Sequence, residues 1–257
     1  MKPAQLFAAA SGDAADCVVL VHAIGMDHRM WDDLTAFLAR RLRVVRVDVR
    51  GHGASPVPPR PYSLEALAGD IAAVLDRHAI AKAHLVGLSL GGMIGQAFAL
   101  EHSDRLGRLV LANTTSSYGP EGRSMWQARA KAVEAGGLAA IKDMVLSRYF
   151  SDPFREENPR VVEETGRRFL ETPAPGYLGC CDAIAELDYT ADLPRIRART
   201  FVIAGEKDVG TPPAMSQTIA ARIPGARLAV IPGAAHLSAV EKPADFAALV
   251  KGFLAAP

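Results

Sequence analysis

The chain has 257 residues, 49% hydrophobic and 22% charged, with a formal net charge of +1; this is the composition of a globular enzyme, and it excludes a disordered chain and gives no pull toward nucleic acid or an anionic membrane. Three cysteines, Cys17, Cys180 and Cys181, two of them adjacent, make a poor disulfide framework and match no zinc spacing. Met1-Lys2-Pro3-Ala4-Gln5-Leu6-Phe7 lacks the apolar core of a signal peptide and no apolar run is long enough to span a membrane, so a cytoplasmic protein is expected.

Short β-branched runs alternate with helical patterns. Cys17 to Val21 reads as a buried strand, and Met30 to Arg41 follows with helical periodicity. Val44 to Val49 is the next strand, ended by Arg50-Gly51-His52-Gly53-Ala54-Ser55-Pro56. Leu64 to His78 reads as a helix, with Ser63 as N-cap and Pro61 just before it. A strand ends at Gly87, a helix opens at Gly92, and Arg108 to Ala112 is again a strand. Thr200 to Ala204 and Arg227 to Ile231 are strands separated by a helix from Pro213 to Ile223, and Ala244 to Leu254 closes the chain as a helix. The alternation predicts an α/β fold, a mostly parallel sheet with helices on both faces. Between them, residues 118–189 offer no strand, only helical stretches punctuated by Gly136-Gly137, Pro153, Pro159 and Pro173-Ala174-Pro175-Gly176. We read this stretch as a helical lid inserted into a core made of residues 1–117 and 190–257, since loops at the carboxyl edge of such a sheet build its site. Little precedes Cys17 from which further strands could form.

Gly87-Leu88-Ser89-Leu90-Gly91 has the form G-x-S-x-G at a strand-to-helix turn. Its glycines allow a sharp turn that exposes the serine, and the helix N-terminus directs free N–H groups at any oxyanion formed there. A serine nucleophile needs a base, and the base an orienting acid. His236 and Asp208 follow in suitable places, each directly after its own strand and on the same sheet edge as Ser89. Glu206 is a competing carboxylate two residues from Asp208, and His52, in a turn shaped by two glycines, reads as structural. The oxyanion would rest on the N–H groups of Leu90 and of Ile24, in the loop His22-Ala23-Ile24-Gly25-Met26-Asp27. Asn113 follows a strand but, as an amide, cannot serve as the acid.

Together, Asp48-Val49-Arg50-Gly51-His52-Gly53-Ala54-Ser55, Gly87 to Met93, and the Asp208 and His236 loops resemble the α/β-hydrolase superfamily over essentially the whole chain. A narrower resemblance lies in Val57 to Leu64, Leu111 to Thr114, Pro175 to Ile184 and Ala235-His236-Leu237-Ser238, which are similar to 3-oxoadipate enol-lactonases of the β-ketoadipate pathway. Where that family's oxyanion loop usually reads Ser-Asn-Ser-Leu-Gly, this chain has Val21-His22-Ala23-Ile24-Gly25, closer to general esterases. The resemblance implies hydrolysis of an anionic enol-lactone to 3-oxoadipate through an acyl-enzyme, with no metal or organic cofactor. It also implies a Trp-x-x-Arg pair: Trp126 as an apolar wall and Arg129 as the carboxylate binder, with Arg123 and Arg148 as rivals. A general carboxylesterase or other lactonase, a cofactor-free haloperoxidase or carbon–carbon hydrolase, and a non-catalytic binding protein remain as alternatives.

Overall fold

The computed structural model describes residues 2–255; Met1, Ala256 and Pro257, at the outer ends of the two core segments, lie outside the described residues. Its strands are β1 (Ala8–Ser11), β2 (Cys17–Val21), β3 (Arg43–Val47), β4 (Ala83–Leu88), β5 (Leu106–Ala112), β6 (Thr200–Gly205) and β7 (Arg227–Ile231), joined in one seven-stranded sheet of order β1-β3-β2-β4-β5-β6-β7. The continuous Val, Leu and Ile runs of β2 and β6 are buried along their whole length, as strands with helices on both faces must be. β1 pairs antiparallel with β3, and the other neighbouring pairs are parallel.

The connections distribute the helices. α1 (Asp32–Leu38) leads from β2 outward to β3, whereas α2 (Leu64–Arg77) leads back across β2 to β4. Right-handed crossovers running in opposite directions put these two helices on opposite faces. α3 (Leu90–Glu101) packs beside α2, and its flank is apolar nearly all round because it is enclosed between sheet and helix. Next come five helices between β5 and β6: α4 (Pro120–Gly136), α5 (Lys142–Tyr149), α6 (Asp152–Glu157), α7 (Pro159–Glu171) and α8 (Ala174–Ala185). Prolines at the first or second positions of α4, α6, α7 and α8 start these helices rather than break them. The two ends of the stretch meet: Ser117 bridges to Asp188, and the Tyr189 N–H donates to the Ser116 carbonyl at 2.8 Å. α9 (Pro213–Arg222) links β6 to β7, and α10 (Ser238–Glu241) and α11 (Pro243–Ala255) follow, α11 packing on α1.

Three features differ from the sequence reading. β1 was not expected, because Ala-Ala-Ala-Ser has weak strand preference; its pairing with β3 makes it a strand. The single helix read from Met30 is split into a 3-10 turn at His28–Trp31, capped by the Asp27 carboxylate, and α1. β3 stops at Val47, short of the Val49 expected: the Asp48 N–H still donates to the Phe7 carbonyl (3.0 Å), but the Val49 N–H turns to His22 Nε2 (2.9 Å). Ser63 caps α2 as read, accepting the Ala66 N–H at 3.2 Å.

Candidate active site

Ser89 stands between β4 and α3 with φ 57° and ψ −115°, a conformation that costs a non-glycine residue about 1–3 kcal/mol. Its surroundings impose it. The Ser89 N–H donates to the Ala112 carbonyl (2.9 Å) and its carbonyl accepts the Thr114 hydroxyl (2.8 Å). A Cβ on Gly87 would come within 2.1 Å of the Gly91 oxygen, and one on Gly91 within 2.0 Å of the Val21 oxygen, so neither glycine tolerates a side chain. The Ser89 side chain does not cap α3; it points at His236.

The serine hydroxyl lies 2.8 Å from His236 Nε2, and His236 Nδ1 lies 2.8 Å from Asp208 Oδ2. All three residues are buried. Asp208 also accepts the N–H groups of Gly210 (2.8 Å) and Thr211 (2.9 Å), the Thr211 hydroxyl (2.8 Å) and the Asn113 amide (2.9 Å). Burial by itself would raise its pKa, but His236, Thr211 and Asn113 together hold it below the usual carboxylate value. An ionised Asp208 keeps the imidazole proton on Nδ1, so Nε2 is free to accept from serine. Glu206 is exposed and accepts the Gly233 N–H at 2.9 Å, away from His236.

Two supports escaped the sequence reading. Asn113, at φ 45°, donates to Asp208 and to the Ala235 carbonyl (3.2 Å) while accepting the Ser238 hydroxyl (2.5 Å), so it joins the acid to the histidine loop. Buried Glu241, in α10, accepts the Ala235 N–H at 2.7 Å and the Ser151 N–H and hydroxyl. The available signal was chemical: an amide where an acid could stand, and a carboxylate five residues after a candidate base.

In the loop after β2, His22 Nδ1 faces the Ala23 carbonyl (2.7 Å) and its Nε2 accepts the Val49 N–H (2.9 Å). His52 Nε2 accepts the Gly25 N–H at 2.9 Å. Burial lowers the pKa of both, that of His52 to about 3, so both rings are neutral struts. Neither the Ile24 N–H nor the Leu90 N–H donates a hydrogen bond among the described residues.

Above Ser89 lies a cavity of about 30 Å³. Ile24, Ser89, Gly210 and His236 form its floor, and Trp126, Arg129, Arg148 and Tyr149, from α4 and α5, form its roof. The Arg129 guanidinium lies 4.8 Å from the Trp126 ring centre, and its buried Nε has no hydrogen-bond partner among the described residues. Neither Arg129 nor Arg148 is ion-paired among the described residues, whereas Arg123 is exposed and spent on Glu186. Tyr177 to Ile184 of α8, which carry part of the family resemblance, do not line this cavity; Gly176 packs backbone to backbone on Gly51, and Gly179 lies against the Tyr62 ring. Among the described residues the cluster with metal-ligand chemistry is Asp27, His28 and Asp48, whose carboxylates are already engaged by Arg29, His28 and Ala54.

A parallel sheet carrying Ser89, Asp208 and His236 on its carboxyl edge is the architecture of the α/β hydrolases, and residues 16–243 match the family model for the alpha/beta hydrolase fold. The chain belongs to that family and is an ester-hydrolysing enzyme. Its relatives include 3-oxoadipate enol-lactonase 2 of Acinetobacter baylyi, 35% identical over 89% of this chain and 85% of the relative. The crystal structure of the enol-lactonase from Burkholderia xenovorans LB400 superposes with a TM-score of 0.94 at 35% identity, covering 98% of this chain and 96% of that one. A thermophilic esterase from Thermogutta terrifontis, solved with malate bound, gives 0.92 at 30% identity over 97% and 92% of the two chains. No helix among the described residues is long and apolar enough to cross a membrane.

Proposed function

We propose that this enzyme opens the ring of a small anionic enol-lactone, 3-oxoadipate enol-lactone, to give 3-oxoadipate. The observation that carries the reading is the pair of guanidinium groups, Arg129 and Arg148, roofing the Ser89 cavity with no carboxylate partner among the described residues. Two cations facing one small space repel unless a ligand brings negative charge, and a guanidinium binds a carboxylate through paired hydrogen bonds. The similarity to enol-lactonases supports an enol-lactone carboxylate as that charge, as does the Thermogutta esterase, whose structure has malate, a dicarboxylate, bound.

In this reading His236 takes the Ser89 proton as Oγ attacks the lactone carbonyl. The oxyanion accepts from the N–H groups of Ile24 and Leu90. Collapse expels the enol oxygen, which takes the proton back from His236 and remains tethered to the acyl chain, and its ketonisation makes the step hard to reverse. His236 then activates water to release the acid. Trp126 walls the apolar part of the substrate, and Arg129 holds its carboxylate. Residues 118–189 act as the lid, since α4 and α5 roof the cavity over Ser89. The three cysteines are unpaired and buried, in keeping with a cytoplasmic setting.

Steady-state hydrolysis of the enol-lactone beside a neutral aryl acetate, with Ser89→Ala as control, tests the reading. A strong preference for the lactone, abolished in the variant, is expected. Ester hydrolysis lost in the variant without any lactone opening would keep the nucleophile and retire the lactonase assignment in favour of a general carboxylesterase, the reading that the His22 form of the oxyanion loop favours.

A further inference from the structure

Tyr149, the last residue of α5, touches both places where charge would develop around Ser89. Its hydroxyl donates to the Ile24 carbonyl. Its ring lies stacked on His236, centroids 5.8 Å apart and planes 18° from parallel. Its own carbonyl accepts the N–H of Leu237, the residue after His236, at 2.9 Å. No other residue of the helices between β5 and β6 bonds to both the loop after β2 and the loop after β7 among the described residues.

The consequence lies in the peptide groups of the oxyanion loop. The Ala23 carbonyl accepts from His22 Nδ1 (2.7 Å) and from the Met26 N–H (3.1 Å). The next peptide is clamped at both ends: the Gly25 N–H donates to His52 Nε2 and the Ile24 carbonyl accepts from Tyr149. Among the described residues, one polar group in the run from the Ala23 carbonyl to the Gly25 N–H is left without a hydrogen-bond partner, the Ile24 N–H. A donor held by its neighbours needs no reorganisation when an oxyanion forms, which is where such groups gain their effect. Burial pushes the Tyr149 phenol well above its ordinary value, so it stays a donor at any working pH.

We propose that Tyr149 is a positioning residue for the hydrolytic reaction, its hydroxyl fixing the Ile24–Gly25 peptide, and through Ile24 the preceding peptide that presents the oxyanion donor, and its ring supporting the imidazolium that His236 becomes. A cation over an aromatic face is favoured by the ring's quadrupole, most when both are shielded from water. The two functions separate by substitution, because phenylalanine keeps the ring and loses the hydroxyl, and leucine lacks both. The inference rests on the Ser89, Asp208 and His236 chemistry but not on which ester or lactone is the substrate.

The test therefore uses a neutral aryl acetate as well as the enol-lactone, and a trifluoromethyl ketone, whose adduct with Ser89 mimics the oxyanion. Tyr149→Phe should lower kcat about 10-fold on either substrate that the enzyme turns over, leave KM within twofold, and weaken trifluoromethyl ketone binding in proportion. Affinity for a simple carboxylate product should not change, and this is the readout that a merely structural role would not produce. Tyr149→Leu should lose about a further 10-fold in kcat. Thermal melts of both variants establish that they are folded, and a destabilised one is assayed below its transition. Wild-type kcat in Tyr149→Phe, or equal weakening of the ketone and the product, would overturn the hydroxyl's role. A Tyr149→Leu no slower than Tyr149→Phe would overturn the ring's. Failure of the enol-lactone as a substrate, with the acetate results as expected, would remove the substrate assignment and leave this inference standing.

Discussion

The floor and the roof of the cavity over Ser89 are built on opposite principles. In the floor, contributed by the sheet-edge loops, polar groups are locked in place: Asp208 accepts from His236, Gly210, Thr211 and Asn113, and the loop after β2 is braced by His22 and His52. In the roof, contributed by α4 and α5, two guanidinium groups have no ion-pair partner and the Arg129 Nε has no hydrogen-bond partner among the described residues. A satisfied floor keeps one geometry for bond breaking whatever is bound. In the proposed reading, an unsatisfied roof is where a ligand of opposite charge binds. In the proposed reading chemistry comes from the floor, with Tyr149 of α5 tied to it, and charge selectivity from the two arginines, so the two should fail separately.

The sharpest break of the floor is Ser89→Ala or Asp208→Asn. Each should lower kcat by about 10⁴-fold or more, and by similar factors for anionic and neutral substrates, since neither residue reads the substrate's charge. Steady-state rates on the two substrates check this; a loss confined to one of them would dissolve the distinction. The matching break of the roof is Arg129→Ala. It should raise KM for the anionic lactone by about 10- to 100-fold, the scale of a hydrogen-bonded charge, while sparing neutral esters. Equal loss on both would show that the arginine serves packing against Trp126.

Asn113→Ala sharpens the comparison from within the floor. It strips one donor from Asp208 and one from the Ala235 carbonyl, leaves the Ser238 hydroxyl without its acceptor, and forces alanine to φ 45°. A fall in kcat of about 10-fold and a loss of about 1–3 kcal/mol in stability are expected, read by kinetics and denaturant unfolding. The remaining effect is on stability against pH. His52 titrates near 6.5 when unfolded but at about 3 when folded, chiefly through burial and then through the neighbouring His22. Proton uptake therefore favours unfolding, so its contribution is complete above 6.5 and declines as the pH falls toward 3. One such histidine gives a slope of about 1.4 kcal/mol per pH unit, and His52→Gln, which retains an acceptor for the Gly25 N–H, should flatten it.

The floor was legible in the sequence because its signals are local. A serine between glycines after an apolar run, and an acid and a histidine each following a strand, appear in order along the chain, and the alternation that fixes the sheet fixes their common edge. The insert was legible as helices through its prolines and glycines, but its contacts were not. Nothing in the spacing of Tyr149 announces a hydroxyl reaching Ile24, 125 residues earlier in the chain. Asn113 and Glu241 were hidden for the same reason, since a partner brought by folding leaves no periodic trace. β1 was missed because pairing, not composition, makes it a strand.

The central claim is that Ser89 opens a lactone by forming an ester with its acyl group. Rapid mixing of the wild-type enzyme with the enol-lactone, acid quenching within the first turnover and peptide mass measurement tests it most directly. Ring opening loses no atoms, so the account predicts that the peptide bearing Ser89 gains the full mass of the lactone, whereas an aryl acetate adds only an acetyl group. An adduct on another residue, or no adduct on Ser89 while the lactone is consumed in a burst, would contradict it.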